Sequence, residues 1–316
     1  MNSVEILREQ IINHQLSLQS IKNKSWKIWK KKIDSLLTPK KTAANLLDLG
    51  DHLSEIFFTT NSGRSQSGVA RAGTAWETIV CWYLNLCTIG TRTVAVKSAF
   101  VPKPLRDAMT VRYGNVSSNT EADIVTIVFP DKSVFTANLP ENFDEGKEKK
   151  TKLFRQDKDG NSTVAKASFK RYLEKHTEDY LKEFQIGIIQ CKSNWNDNAQ
   201  IPMLWDIVYK ATKFKDVNIS VGRNNFSIKD LKKFSYSFVT VPTQKTKKTK
   251  YTPKSTAVLR VNNLSGGNYW GKKSESAVAS SIKEIFNKNF SDGLPNMRKN
   301  LNIALKQDHS YFFPSS

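Results

Sequence analysis

Three side chains able to do chemistry together stand at the ends of two apolar stretches of this 316-residue sequence. Residues 120–129 form a β-branched, apolar run that carries Asp123 near its start, and within residues 184–195 a second apolar stretch ends in Gln190, Cys191 and Lys192. Side chains on a strand alternate faces with a period of two, so Gln190 and Lys192 must project from the same face. The two strands together gather one carboxylate, one amide and one ammonium. Such a set suits hydrolysis of a phosphodiester, in which the carboxylate and a neighbouring oxygen hold Mg²⁺ while the lysine orients or deprotonates the attacking water. The same residues also fit a half-exposed strand end closed by a salt bridge.

Asp123 followed on a second strand by Gln190-x-Lys192 resembles the PD-(D/E)xK nucleases, and the wider sequence is similar to a type II restriction endonuclease. Glu121-Ala122-Asp123 stands where Pro-Asp is typical of that family, and Gln190 stands where an acid is usual. The resemblance implies a mixed α/β sheet flanked by helices, with a nuclease core over residues 61–241, an N-terminal helical region over 1–60 and a C-terminal β/α extension over 242–316. It further implies Mg²⁺ held by Asp123, Gln190 and the backbone carbonyl of Cys191, with Lys192 positioning the water and Glu77 assisting from the preceding helix. The activity implied is cleavage of both strands of duplex DNA at a short specific sequence, leaving 5′-phosphates. Another nuclease of the same core, acting in repair or transposition, and a nucleic-acid-binding protein without catalysis are the alternatives.

Composition points the same way. A net charge of +20 and a pI near 9.7 imply a polyanionic partner, since each Lys or Arg set against a phosphate releases counterions. With 39% apolar residues the chain is globular. It has no run of 18 apolar residues, and Met1–Glu5 lacks the basic-then-apolar pattern of a signal peptide, which together suggest a cytoplasmic protein. Cys81, Cys87 and Cys191 are odd in number and lie among apolar neighbours, so they read as buried free thiols. The four histidines, at 14, 52, 176 and 309, are too far apart for a zinc site. Nothing in the sequence calls for a nucleotide cofactor.

Residues 3–37 show helical periodicity up to the stop at Pro39, and a second helix is expected over 42–58. Eight lysines between 22 and 41 flank Trp26 and Trp29, and this face either meets DNA or is solvated with its tryptophans in the core. Residues 61–73 are rich in Gly, Ser and Arg, so Arg64 and Arg71 either approach phosphates or belong to a plain linker. The helix expected over 74–87 is apolar all round, and Glu77 is its one charge. A lone acid of that kind needs a cation or hydrogen bonds, whether a metal or a structural Lys or Arg.

A first core strand is expected over 92–101. Between the Asp123 and Gln190 strands come a charged run, a hairpin turn at 157–161 and a helix over 164–184. After Lys192, the side chains of Asn194, Asn196, Asp197, Asn198 and Gln200 either read base edges or cap the next helix. Strands at 217–221 and 235–241, joined by a short helical link at 226–233, complete the expected sheet. The basic, low-complexity segment 243–254, with Lys245, Lys247, Lys248 and Lys250, is either an arm along the DNA backbone or a solvated loop. Beyond it the sequence suggests a strand at 257–261, a tight loop at 265–271, a helix over 274–290 and a polar tail. No repeat supplies a second site, so cutting two strands implies a homodimer, built through the Trp-bearing N-terminal helices or the 265–290 region.

Overall fold

A computed structural model of the chain describes residues 1–38, 41–60, 66–119, 122–144, 150–193, 200–215, 217–241, 252–272, 278, 282–290, 293–306 and 310–314. Its centre is a five-stranded sheet in the order β1 (Thr93–Val96), β2 (Ile124–Val128), β3 (Gln185–Lys192), β4 (Lys233–Thr240), β5 (Asn268–Tyr269). β1 pairs antiparallel with β2, and β2 antiparallel with β3, through Val96↔Val125 and Ile124↔Ile189. β4 runs parallel to β3, and β5 parallel to β4, in the registers Phe238↔Gln190 and Phe238↔Asn268. The protein is therefore an α/β protein with a mixed sheet and an N-terminal helical region.

The inner strands are buried on both faces, which is why β2 and β3 read as unbroken apolar runs and not as alternating ones. A 22-residue helix, α1 (Gln66–Cys87), packs against β1 and β3. Trp76, Val80, Trp82, Tyr83 and Leu84 on it are all buried. Its buried indoles find carbonyl partners, Trp76 Nε1 donating to Val239 O at 3.3 Å and Trp82 Nε1 to Phe312 O at 3.0 Å. A second helix, α2 (Gln200–Ala211), follows β3 and rests Tyr209 beside Phe234 and Tyr236 of β4.

Several expectations need correction. The N-terminal run is broken into helices Ser3–Ser17 and Lys27–Leu36 with a π-helical turn at Lys22–Trp26 between them. Trp26 and Trp29 are buried there, Trp29 Nε1 donating to Thr60 Oγ1 at 2.9 Å, so of the two alternatives for these tryptophans it is the core that holds. α1 starts at Gln66, so most of the expected 61–73 loop is helix. β1 ends at Val96, and the chain turns out of the sheet through Ser98–Phe100 into a helix at Lys103–Ala108.

Residues 219–221 do not join the central sheet. They pair with Val111–Tyr113 in a separate three-stranded sheet, tied down where Arg223 Nε donates to buried Asp107 at 2.7 Å. The link between the strands has only a single 3-10 turn, Ile228–Asp230. Thr256–Asn262 is a helix and not a strand: Val258 and Val261 are buried while Leu259 between them is exposed, a spacing of three that a strand cannot bury on one face. The tight loop expected over 265–271 contains β5, and the expected polar tail contains a helix at Gly293–Ala304 and a turn that buries Phe312. The 157–161 hairpin turn stands as expected, with Asp157 Oδ1 accepting from the Asn161 N–H at 2.9 Å.

Gly187 marks where the sheet has no room. A Cβ built on it would lie 2.5 Å from Thr126 Oγ1 and 2.6 Å from Asn289 Oδ1, because Asn289 lays its amide across β3 and β4 and accepts from Ser235 Oγ at 2.5 Å. Gly187→Ala is therefore expected to cost roughly 1–3 kcal/mol through forced displacement of that network. Urea unfolding of the variant measures it, and an unchanged midpoint would mean the polar cluster yields freely.

Candidate functional site

The site forms where three elements end together. β2 begins just after Asp123, β3 finishes with Gln190, Cys191 and Lys192, and the chain leaves β1 at Lys97. The Ile124↔Ile189 register, carried one residue further, sets Asp123 beside Gln190. There the Asp123 carboxylate takes over the ladder: Oδ2 accepts from the Cys191 backbone N–H at 2.7 Å. That bond fixes the carboxylate and leaves Oδ1 as the oxygen it can present.

From α1, Glu77 reaches the same place. Its Oε2 accepts from the Lys97 ammonium in an ion pair whose two side chains are 23% and 26% exposed. Burial and then the like charge of Glu77 push the Asp123 carboxyl up to about 6, against the Cys191 N–H, Lys192 and Lys97, which all favour its ionised form. Glu77, Lys97, Lys192 and Asp123 therefore share one electrostatic neighbourhood. Burial works to lower the Lys97 ammonium, but the Glu77 carboxylate outweighs it and carries the group above its ordinary value.

The thiols take no part as nucleophiles. All three are buried and free; burial raises the Cys191 thiol, aided by the Asp123 and Glu77 charges, and burial raises Cys81 to about 11. Gln190 is fully enclosed within β3. Lys192 is half-buried at the strand end, on the same face as Gln190 by the alternation of the strand.

The structure thus brings together Asp123, Glu77, Gln190, Cys191 and Lys192. It adds Lys97, which the sequence reading placed inside a longer strand. A signal for it exists: Lys97 is the one charged residue between Val94 and Val101, as Glu77 is the one charge between Thr74 and Cys87. Of the expected DNA contacts, Arg71 falls on the first turns of α1 and Gln200 opens α2, exposed. Arg64, Asn194, Asn196, Asp197, Asn198, Lys245, Lys247, Lys248 and Lys250 lie outside the described residues.

Among the described residues no three His, Cys, Asp or Glu side chains gather into a metal-binding group. A cation here would take two carboxylates, Asp123 and Glu77, and complete its shell with the Gln190 amide oxygen, the Cys191 carbonyl and water. That donor set is all oxygen and suits Mg²⁺, which keeps several waters and needs few carboxylates. The crowding that raises Asp123 is what a divalent ion would relieve. No helix among the described residues is long and apolar enough to cross a membrane. Neither a protein-family model nor a curated protein matches the chain.

Proposed function

We propose that the chain is a Mg²⁺-dependent endonuclease that cuts both strands of duplex DNA at a short specific sequence, as a type II restriction enzyme does. The observation that carries this reading is the meeting of Asp123 and Glu77, from separate elements, beside Lys192 at one end of the sheet. Support also comes from the mixed sheet with α1 packed on it and α2 between β3 and β4, which agrees with the α/β class, a mixed sheet flanked by helices, that the resemblance implies.

In this reading Asp123 and Glu77 hold the ion, with the Gln190 and Cys191 oxygens completing its protein ligands. Bound Mg²⁺ would neutralise charge on the scissile phosphate and make water a better nucleophile. Lys192 has a different task. Its ammonium, at the rim of the site, orients the attacking water against the phosphate; the proton which that water loses passes to solvent, and a solvent water protonates the leaving 3′-oxygen. The Cys191 N–H keeps Asp123 aimed throughout. The net charge of +20 gathers the DNA, and two copies related by a two-fold axis present one site to each strand.

The test is direct: purified protein, plasmid and Mg²⁺. Discrete fragments that vanish with EDTA are expected. A smear would replace the reading with a nonspecific nuclease, and a shifted but uncut band would replace it with a binding protein.

A further inference from the structure

We propose that Lys97 is a positioning residue that acts as a resident countercation: it occupies Glu77 while DNA is absent, holds metal affinity down, and releases the carboxylate when phosphate arrives. The inference rests on the metal-dependent reading of this site and says how that site is regulated. Two carboxylates, Asp123 and Glu77, are close enough for one to disturb the other, and both are largely buried. Without a cation that arrangement is costly, since like charges in a poorly solvated place repel and neither is well hydrated. Lys97 supplies one positive charge at the place where the ion would supply two. Its ammonium donates to Glu77 Oε2, and its charge also reaches Asp123.

The position of Lys97 in the fold suits a mobile cation. Val96 is the last residue of β1, Lys97 is the first beyond it, and Ser98–Phe100 turns away from the sheet, so the side chain leaves the strand end and not its interior. A partly buried ion pair of this kind contributes little to stability, because the desolvation of both partners offsets their attraction. Its consequence lies elsewhere. A divalent ion arriving at Asp123 and Glu77 must displace the ammonium from Glu77 and then sit beside it, and like charges a few ångströms apart in such a site repel strongly. A DNA phosphate gives Lys97 another anion to bind. Once it swings there, Glu77 is open and the repulsion is gone. Metal and DNA binding are then coupled, and the coupling must be reciprocal: each strengthens the other by the same factor.

The experiment compares the full-length chain with Lys97→Met and Lys97→Arg by calorimetric titration of Ca²⁺, which follows ion binding independently of turnover, with and without a short duplex. Wild type is expected to bind Ca²⁺ weakly alone and more tightly with the duplex. Lys97→Met is expected to bind it about tenfold more tightly without the duplex and to gain little from adding it, the size of an ordinary coupling between sites. Lys97→Arg keeps the charge and is expected to follow wild type, which a merely structural role for the Lys97 stem would not require. Should Lys97→Met fail to fold, Lys97→Gln, whose amide still donates to Glu77, is read in its place with the same expectation. Equal or weaker Ca²⁺ affinity in the neutral variant, with wild type binding the ion, overturns the countercation and leaves the metal site standing. If none of the proteins binds Ca²⁺ with or without DNA, the countercation and the metal-dependent reading fall together.

Discussion

Lys192→Ala is expected to lose cleavage by about 10²–10⁴-fold, the range spanned by a positioned proton-transfer group, while its DNA binding stays close to that of the native chain. The two effects separate because they draw on different sums. Binding spreads over many of the 49 Lys and Arg residues, so removing one phosphate or water contact changes it little. Turnover depends on what stands at the end of β3, where Lys192 shares a face with Gln190 and its charge reaches Asp123. The variant loses a half-buried ammonium at a strand end, a position that leaves the core untouched. Single-turnover plasmid nicking in Mg²⁺, run beside a gel-shift titration at the same salt, measures both quantities. Normal turnover by the variant would take Lys192 out of the site and the proposed mechanism with it.

The legible part of the fold was the part where one physical demand dominated. β2 and β3 lie in the sheet interior and are buried on both faces, so the runs over 120–129 and 184–192 could be read directly. β4 was legible over 235–241 from its alternation, which sets Ser235 and Ser237 on one face, against Asn289, and Tyr236 and Phe238 on the other. Where two demands compete, the reading slips. Residues 257–261 are short and apolar enough for either element, and only the burial of Val258 and Val261 with Leu259 outside decides for a helix. Residues 219–221 are strand-like but pair with a hairpin, a long-range choice that no local pattern carries. β5 is two residues long, fixed by its parallel register with Phe238 and Val239 and not by its own composition.

The candidate site divides in the same way. Asp123 and the Gln190-x-Lys192 pair were legible because polar groups at the ends of apolar strands are conspicuous. Glu77 was visible as a lone charge on an apolar helix, but the sequence left open whether a metal or a structural base answers it. The structure gives it Lys97, itself the lone charge of its stretch, and also sets it close enough to Asp123 to raise that carboxyl. The two solitary opposite charges were a readable pair, obscured by the expectation that the strand ran on to 101. Chain direction at Val96 depends on Pro102 and Pro104 entering a helix, where proline is well accommodated in the first turn, and not on the alternation before it.

Asp123→Asn is expected to make the metal-free protein more stable at pH 8 and to abolish cleavage. The sign follows from the raised carboxyl. In the folded chain Asp123 titrates near 6, against an ordinary value of 3.8. Below about pH 4 it is protonated in both folded and unfolded chains and contributes nothing. Between about pH 4 and 6 the unfolded chain has released the proton while the folded one keeps it, so stability falls as pH rises, and above 6 the whole penalty is present. The rise from 3.8 to about 6 corresponds to roughly 3 kcal/mol as an upper figure, because each tenfold change in proton affinity is worth about 1.4 kcal/mol. Asparagine carries no charge to repel Glu77, and its side-chain oxygen can still accept from the Cys191 N–H. The variant should therefore exceed wild type in thermal midpoint in EDTA at pH 8, by several degrees at this size of effect, and the gap should close towards pH 4. Adding Mg²⁺ should raise the wild-type midpoint and leave that of Asp123→Asn nearly still, since an ion stabilises only the fold that binds it. A variant less stable than wild type at pH 8, or a gap that does not shrink on acidification, would mean that Asp123 is held by its hydrogen bond more than it is strained by Glu77, and that the site is not poised for a cation.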